Sequence, residues 1–165
     1  MTERLWAPWR MTYIEKPSTG TDELNIFVDL PAENNDRDNL IIFRGQTAFV
    51  MLNAYPYTNG HLLIAPYRQT PNLEELNDEE LLEINQLLAK SIRWNKKCYN
   101  PDGFNVGINI GRAGGAGIPR HIHWHIVPRW SGDTNFMTTI GEVRVLPQTL
   151  LESYDRLKEI ADADI

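Results

Sequence analysis

The chain has 165 residues, 42% of them hydrophobic, and a formal net charge of −6, which predicts one domain, 1–165, with a single core. The negative charge argues against a general nucleic-acid-binding surface, and the apolar runs are far shorter than a membrane span. Residues 1–6 lack the apolar core of a signal peptide, and the single cysteine excludes an internal disulfide framework. We therefore expect a cytoplasmic protein that binds neither nucleic acid nor membranes.

The first part of the chain contains an aromatic arm followed by a run of strands. Trp6, Trp9 and Tyr13 make residues 1–20 unusually aromatic, and we expect this arm to dock on the body of the fold. Residues 24–30 predict a short helix or turn. Three apolar runs then predict strands at 40–44, 47–54 and 61–66, the first two joined as a hairpin by Gly-Gln at 45–46.

Two helices and two further strands are predicted in the rest of the chain. Asn77 can cap a helix start, and Glu80 can reach back to it as in a capping box. An apolar stripe that begins at Leu81 and Ile84 extends this helix over 78–99, and Asn-Pro-Asp-Gly at 100–103 ends it. A strand is predicted at 104–110, an edge strand or hairpin arm at 137–145, and a C-terminal helix at 147–161 within the terminal segment 147–165.

The stretch that carries the chemistry is Arg-His-Ile-His-Trp-His-Ile-Val-Pro-Arg at 120–129, the predicted fifth strand. In a strand, its alternation places His121, His123 and His125 on one face. The fourth histidine of the chain, His61, opens the predicted third strand. These side chains could be ordinary packed residues, metal ligands, or a nucleophile with histidine helpers. Strict alternation directly after a glycine-rich turn favours the last interpretation.

The glycine-rich segment Gly-Arg-Ala-Gly-Gly-Ala-Gly at 111–117 immediately precedes the histidines. By itself, such a segment is compatible with a plain flexible turn. Glycine also lets successive backbone N–H groups approach a phosphate closely. Its position beside the histidines favours a backbone cradle for an anion.

These residues resemble those of the histidine triad (HIT) family of nucleotide hydrolases and transferases. Residues 121–127 match its motif His-φ-His-φ-His-φ-φ, in which φ is apolar. Asn53 with Gly60-His61, and Asn109-x-Gly111 with the glycine-rich loop, agree with two further parts of the family pattern. The stretches 5–10, 128–130 and 132–136 resemble a narrower branch that includes diadenosine tetraphosphate phosphorylases.

The resemblance implies an α+β, HIT-like fold: a mostly antiparallel five-stranded sheet with one long central helix and a C-terminal helix. It implies a homodimer in which His123 attacks an α-phosphate and forms a nucleotidyl-histidine intermediate. His121 and His125 would orient that group, bind phosphate oxygens and protonate the leaving group, and His61 would help to position His123 or the phosphates. Nucleotide contacts are predicted at Phe43 for the base, at Asn53 for the ribose, at the loop residues Asn109, Gly115, Ala116 and Gly117, and at Trp130, as a possible base-stacking residue or ordinary core.

The implied substrate is a nucleotide, most simply diadenosine tetraphosphate cleaved by inorganic phosphate to ADP and ATP. The alternative is hydrolysis of a dinucleoside polyphosphate or a nucleoside phosphoramidate. Many relatives carry Gln or Ser just before the triad, where this chain has Ala-Gly-Ile at 116–118, and the absence of that side chain favours phosphate as acceptor. Many also have Cys-x-x-Cys where residues 25–28 are Asn-Ile-Phe-Val, so we expect no structural zinc and no required cofactor.

Overall fold

The computed structural model describes residues 25–133 and 147–164. The predicted aromatic arm at 1–20 and the predicted strand at 137–145 lie outside the described residues. Residues 25–131 and 147–164 belong to one compact unit. Its elements are helix α1 (Ile26–Ala32), strands β1 (Ile41–Arg44), β2 (Ala48–Leu52) and β3 (Leu62–Pro66), helix α2 (Asp78–Tyr99), strands β4 (Gly103–Ile108) and β5 (Trp124–Arg129), and helix α3 (Leu150–Asp162), with a 3-10 turn (Leu73–Glu75) before α2.

The five strands form one sheet in the order β1-β2-β3-β5-β4. Every neighbouring pair is antiparallel, and β1 and β2 form the predicted hairpin. Strand β3 directly follows His61, and strand β5 carries His125. The two strands are adjacent in the sheet although 57 residues lie between Pro66, the end of β3, and Trp124, the start of β5. The predicted α+β fold with a mostly antiparallel five-stranded sheet is therefore confirmed.

Helices α2 and α3 cover one face of the sheet, where the larger part of the core lies. This helix-covered face buries Val50, Leu62, Ile122 and Ile126 against the two helices. On the opposite face, α1 packs Phe27 on a smaller cluster, whose other buried members are Ile41, Phe49, Met51, Leu63 and Ala65. Because strand side chains alternate between faces, the sequence pattern of the central strands supplies both clusters. No helix in the described ranges is long and apolar enough to cross a lipid bilayer.

Capping side chains set the starts of both long helices. Asn77 accepts a hydrogen bond from the Glu80 backbone N–H and the Glu80 carboxylate accepts one from the Asn77 N–H, so the predicted capping box and the predicted helix 78–99 are confirmed. The last helix begins at Leu150, not at 147, because Thr149 and Glu152 form a second capping box that the sequence interpretation missed. Such reciprocal bonds satisfy two backbone donors of the first turn.

The fifth strand starts later than predicted. Regular pairing begins at Trp124, opposite Ile64 of β3 and Ile108 of β4. The predicted strand start at residue 120 is therefore wrong, because the segment before Trp124 uses other partners: Ile122 N–H donates to the Thr70 carbonyl, and the His121 carbonyl accepts from the His123 ring. The alternation nonetheless survives, since Ile122 lies in the helix-covered core.

Candidate active site

The four histidines meet on the face of the sheet opposite α2 and α3. His61, His121 and His123 are each at most 5% exposed, whereas His125 is half-buried. The His125 position lies directly opposite Leu63, whose side chain belongs to the cluster beneath α1. The ring centroids of His123 and His125 are 5.0 Å apart, and those of His61 and His125 are 5.2 Å apart. The structure thus brings the predicted catalytic histidines together.

The hydrogen bond of His123 determines its tautomer. Nδ1 of this ring lies 2.9 Å from the His121 carbonyl oxygen, which can only accept, so Nδ1 carries the proton. In the neutral ring, the lone pair is then on Nε2. The Phe27 ring lies against the imidazole, with centroids 4.7 Å apart, and contributes an apolar wall. His123 is consequently a buried, oriented and unprotonated nitrogen base.

His61 and His125 are joined by a hydrogen bond whose direction follows from the backbone contact of His61. The Tyr57 backbone N–H donates to His61 Nδ1 over 3.1 Å, so the proton of neutral His61 is on Nε2. That Nε2–H points at His125 Nδ1, 3.0 Å away. When it donates, His125 accepts on Nδ1 and carries its own proton on Nε2. The site then combines an acceptor nitrogen on His123 with a donor nitrogen on the adjacent His125.

His121 differs from the other two members of the triad because both of its ring nitrogens bond within the protein. Nε2 donates to the Pro66 carbonyl over 2.9 Å, and Nδ1 accepts from the Asn25 side-chain amide over 3.1 Å. In this arrangement the ring has no nitrogen left for a phosphate oxygen. The predicted contact of His121 with a phosphate oxygen would require one of these two hydrogen bonds to break.

Burial is the main cause of the lowered pKa values of the inner histidines. Desolvation lowers the pKa of His121 to about 4, against a smaller opposing effect of its bond to Pro66, and the charges of His123 and Arg120 lower it further. Burial also lowers the pKa of His123, although its bond to the His121 carbonyl opposes the shift. Both rings are therefore neutral at pH 7, as a nitrogen nucleophile requires.

Acidification is expected to destabilise the fold before the carboxylates titrate. His121 takes up a proton near pH 6.5 in the unfolded chain but only near pH 4 in the folded chain. The free energy of unfolding therefore falls as the pH drops through this window. Linkage predicts that the His121 contribution to the free energy of unfolding falls by about 2 kcal/mol between about pH 7 and pH 5. Urea unfolding at several pH values would measure it. In a His121→Gln control this part of the pH dependence should disappear, and an equally steep dependence there would contradict the assignment.

Of the two residues predicted to contact the nucleoside, Asn53 lies beside the histidines and Phe43 lies on the other face of the sheet. Asn53 lies beside the histidines, with Nδ2 3.3 Å from His61 Nδ1 and Oδ1 accepting from Tyr55 N–H. Phe43 is not brought to the histidines. Its ring packs on Trp94 of α2 with centroids 5.7 Å apart, because β1 pairs Phe43 with Val50 on the helix-covered face. The predicted contact of Phe43 with the base stays a prediction, and this packing places the ring on the helix-covered face of the sheet.

The glycine-rich loop is tied together by its own backbone. Gly115 N–H donates to the Arg112 carbonyl, Ala116 N–H donates to the Gly111 carbonyl, and Asn109 Nδ2 lies 3.4 Å from the Gly115 carbonyl. Two of the amides predicted to cradle an anion are thus already used. Gly117 is exposed one residue further on, and half-buried Trp130 directly follows the end of β5.

Three residues close to the histidines were missed from the sequence: Asn25, Phe27 and Tyr57. Asn25 and Phe27 belong to the start of α1, and the Tyr57 ring lies 4.6 Å from His61 and 6.0 Å from His125, stacked on the latter. An Asn directly before an apolar helical run is a capping signal and could have identified the start of α1. Its bond to His121, 96 residues away, carries no local signal.

The histidines do not form a metal centre within the described ranges. No group of three His, Cys, Asp or Glu side chains there is arranged to hold a metal ion. The hydrogen bonds of His121 give a physical reason for the triad, because they use both nitrogens of a ring that a centre made of His121, His123 and His125 would need.

The comparison with known families agrees with this geometry. The HIT domain model matches residues 34–132, which include all of the histidines. The chain belongs to the HIT domain family. The family predicted from the motif is thereby confirmed.

Relatives and solved structures are similar to the chain over most of its length. The AP-4-A phosphorylase of Mycobacterium tuberculosis is 40% identical over 157 residues, which cover 92% of this chain and 80% of that protein. A zinc-bound histidine triad family protein from Mycobacterium smegmatis is 27% identical, with a TM-score of 0.62 over 75% of this chain and 84% of its own. A hypothetical histidine triad nucleotide-binding protein from Sulfolobus tokodaii shares the fold, with a TM-score of 0.64 at 24% identity, over 85% of this chain and 90% of its own.

Proposed function

We propose that this protein transfers a nucleotidyl group from a dinucleoside polyphosphate, through a covalent nucleotidyl-His123 intermediate. The preferred reaction is phosphorolysis of diadenosine tetraphosphate to ADP and ATP. The observation that carries the proposal is the tautomer of His123, whose Nδ1–H is held by the His121 carbonyl so that Nε2 presents a lone pair. The similarity to the mycobacterial AP-4-A phosphorylase over 92% of the chain supports the choice of substrate and acceptor.

In the first step, His123 Nε2 attacks the α-phosphorus and forms a P–N bond while the bond from phosphorus to the bridging oxygen breaks. ATP leaves, and the Nε2–H of His125 donates to the departing oxygen. In the second step, an oxygen of inorganic phosphate attacks the same phosphorus, the P–N bond breaks, and ADP forms. Splitting the transfer in two replaces one difficult displacement by two easier ones. Burial keeps the nucleophile neutral, and the fixed rings provide orientation.

The acceptor is assigned to phosphate because the segment before the triad has no side chain that could orient a water molecule. Residues 116–118 are Ala, Gly and Ile, whose side chains contain no hydrogen-bonding atom. Asn53, Asn109, Gly117 and Trp130 are proposed as further substrate contacts, together with Gly115 and Ala116 if their loop bonds open.

Four further properties belong to the proposal. We propose a homodimer located in the cytoplasm, with no required cofactor. We also propose that no structural zinc is bound at residues 25–28, because Asn25 offers a carboxamide that is already bonded to Gln69 and His121. Zinc in proteins is bound by Cys, His and carboxylate side chains, and a carboxamide is a poor replacement for a thiolate ligand.

Product analysis with labelled phosphate tests the reaction. Diadenosine tetraphosphate is incubated with [32P]orthophosphate, and all label incorporated into nucleotide is expected in the β-phosphate of ADP, with ATP formed in equal amount and unlabelled. Without phosphate, turnover should fall at least about tenfold. AMP formed at the same rate with or without phosphate would make the protein a hydrolase, and no turnover of any dinucleoside polyphosphate would overturn the proposal.

A further inference from the structure

We propose that Asn25 is a positioning residue of the histidine site: with Gln69, it holds His121 in a single neutral tautomer, and through His121 it fixes the nucleophile His123. The inference rests on the function proposed above, because it concerns the same site. It extends that function to the start of α1, which contains no histidine and was not assigned to the site from the sequence.

The orientation of the Asn25 amide follows from its neighbours. The Phe27 backbone N–H donates to Asn25 over 3.2 Å, so the atom that accepts it is the oxygen Oδ1. The nitrogen Nδ2 then has two protons to place. One lies toward Gln69 Oε1 at 3.0 Å, and the other toward His121 Nδ1 at 3.1 Å. Asn25 is 6% exposed, and its amide has a partner for every proton.

The partner nitrogen of His121 is determined by the same logic. Its Nε2 lies 2.9 Å from the Pro66 carbonyl oxygen, which can only accept, so Nε2 carries the proton. Nδ1 must then accept, and Asn25 supplies the matching donor. In a neutral imidazole, the hydrogen bond made by one ring nitrogen determines whether the other nitrogen donates or accepts. Here an acceptor lies at Nε2 and a donor lies at Nδ1. Only the neutral ring with the proton on Nε2 satisfies both bonds.

The backbone of His121 transmits this constraint to the nucleophile. The His121 carbonyl oxygen receives the Nδ1–H of His123 over 2.9 Å. Phe27, which Asn25 caps, packs its ring on His121 at 5.2 Å and on His123 at 4.7 Å. A rotated or charged His121 would therefore move both the carbonyl that orients His123 and the apolar wall beside it.

The charged groups around His121 have opposing effects on its protonation. Arg120 and a protonated His123 would both oppose a positive charge on the ring. On the α1 side, the Asp29 carboxylate accepts the Asn25 backbone N–H over 2.6 Å and would favour that charge. The donor amide of Asn25 opposes protonation directly, because a protonated Nδ1 would face Nδ2–H with two donors and no acceptor.

Asn25→Asp is the decisive variant, because Asp keeps the helix cap while replacing the donor with an acceptor. We expect the carboxylate to require a proton on His121 Nδ1, so the pKa of His121 should rise from about 4 to above its ordinary value. In 15N spectra of the imidazole nitrogens, the separate signals of the neutral tautomer should be replaced by the closely spaced signals of an imidazolium. The kcat for diadenosine tetraphosphate should fall about 10- to 100-fold with KM within about threefold.

Two further variants separate this role from a merely structural one. Asn25→Ser also keeps the cap but is too short to reach His121, so it should lower kcat without charging the ring. Asn85→Asp makes the same chemical change at an exposed residue of α2, and it should alter neither the pKa of His121 nor kcat. An unchanged His121 spectrum in both Asn25 variants would overturn the inference. If the wild type turned over no dinucleoside polyphosphate, the proposed function would fail, while the NMR comparison would still decide the role of Asn25.

Discussion

Replacing His123 with alanine is expected to lower the turnover of diadenosine tetraphosphate by about 10⁴-fold or more. The variant lacks the Nε2 lone pair that we propose forms the covalent bond. His121 is not placed to replace it, because both of its ring nitrogens are already bonded, and His61 accepts on Nδ1 from Tyr57. Mass spectrometry of the wild type, quenched at alkaline pH, should detect an AMP adduct, because the P–N bond is acid-labile. The adduct should be absent from the variant.

A second substrate distinguishes the nucleophile from its helper. The 4-nitrophenyl ester of AMP has a leaving group that departs without a proton, so His125→Ala should recover much of its activity on this ester. His123→Ala should remain inactive on both substrates. Urea unfolding of the variants would exclude a folding defect. Near wild-type turnover by folded His123→Ala would show that the nucleophile has been misassigned.

Replacing Gly60 with alanine is expected to destabilise the fold by about 3 kcal/mol. Gly60 has φ +75°, in the left-handed region, where a side chain adds about 1–2 kcal/mol of strain. A Cβ there would overlap Asn95 Oδ1 and lie 2.7 Å from the Tyr99 ring. Asn95 is fully buried and donates to the Ser91 carbonyl, so it cannot move aside freely. Overpacking of this kind adds about 1–3 kcal/mol.

Gly111→Ala is the matched control for this substitution. Its φ is +68°, but a Cβ at that position meets nothing within 4 Å, so only the backbone strain of about 1–2 kcal/mol should appear. Urea denaturation of both variants measures the difference. Because Gly60 directly precedes His61, the Gly60 variant should also lose activity out of proportion to its folded fraction. Equal stability of the two variants would contradict the packing argument.

Features with a local cause were predictable from the sequence. Asn77 and Glu80 lie three residues apart, so their capping box, and with it the start of α2, could be recognised directly. The alternation of histidine with Ile and Trp predicted which side chains share a face, and Ile122 does lie in the core opposite the histidines. Local hydrogen bonds and the two-residue period of extended chain suffice for these features.

The strand boundary and the position of Phe43 could not be predicted in the same way. The segment before Trp124 leaves the ladder because the carbonyl of Thr70 and the ring of His123 compete for its backbone groups. Phe43 lies on the helix-covered face because of its register with Val50 and the irregularity between Ile41 and Phe43. A single register shift reverses the face to which a side chain points, and the sequence of one strand does not contain its register with the next.

The sequence by itself therefore determined the family, the long helix and the presence of histidines on one face of a sheet. Only the tertiary structure decided what each histidine can do. Asn25, Pro66 and the His121 carbonyl assign the protons of His121 and His123, and the pairing of β3 with β5 brings His61 to His125. The reason is physical: an imidazole has two tautomers of similar energy in isolation, and the choice between them is made by whichever donors and acceptors the fold places at its two nitrogens.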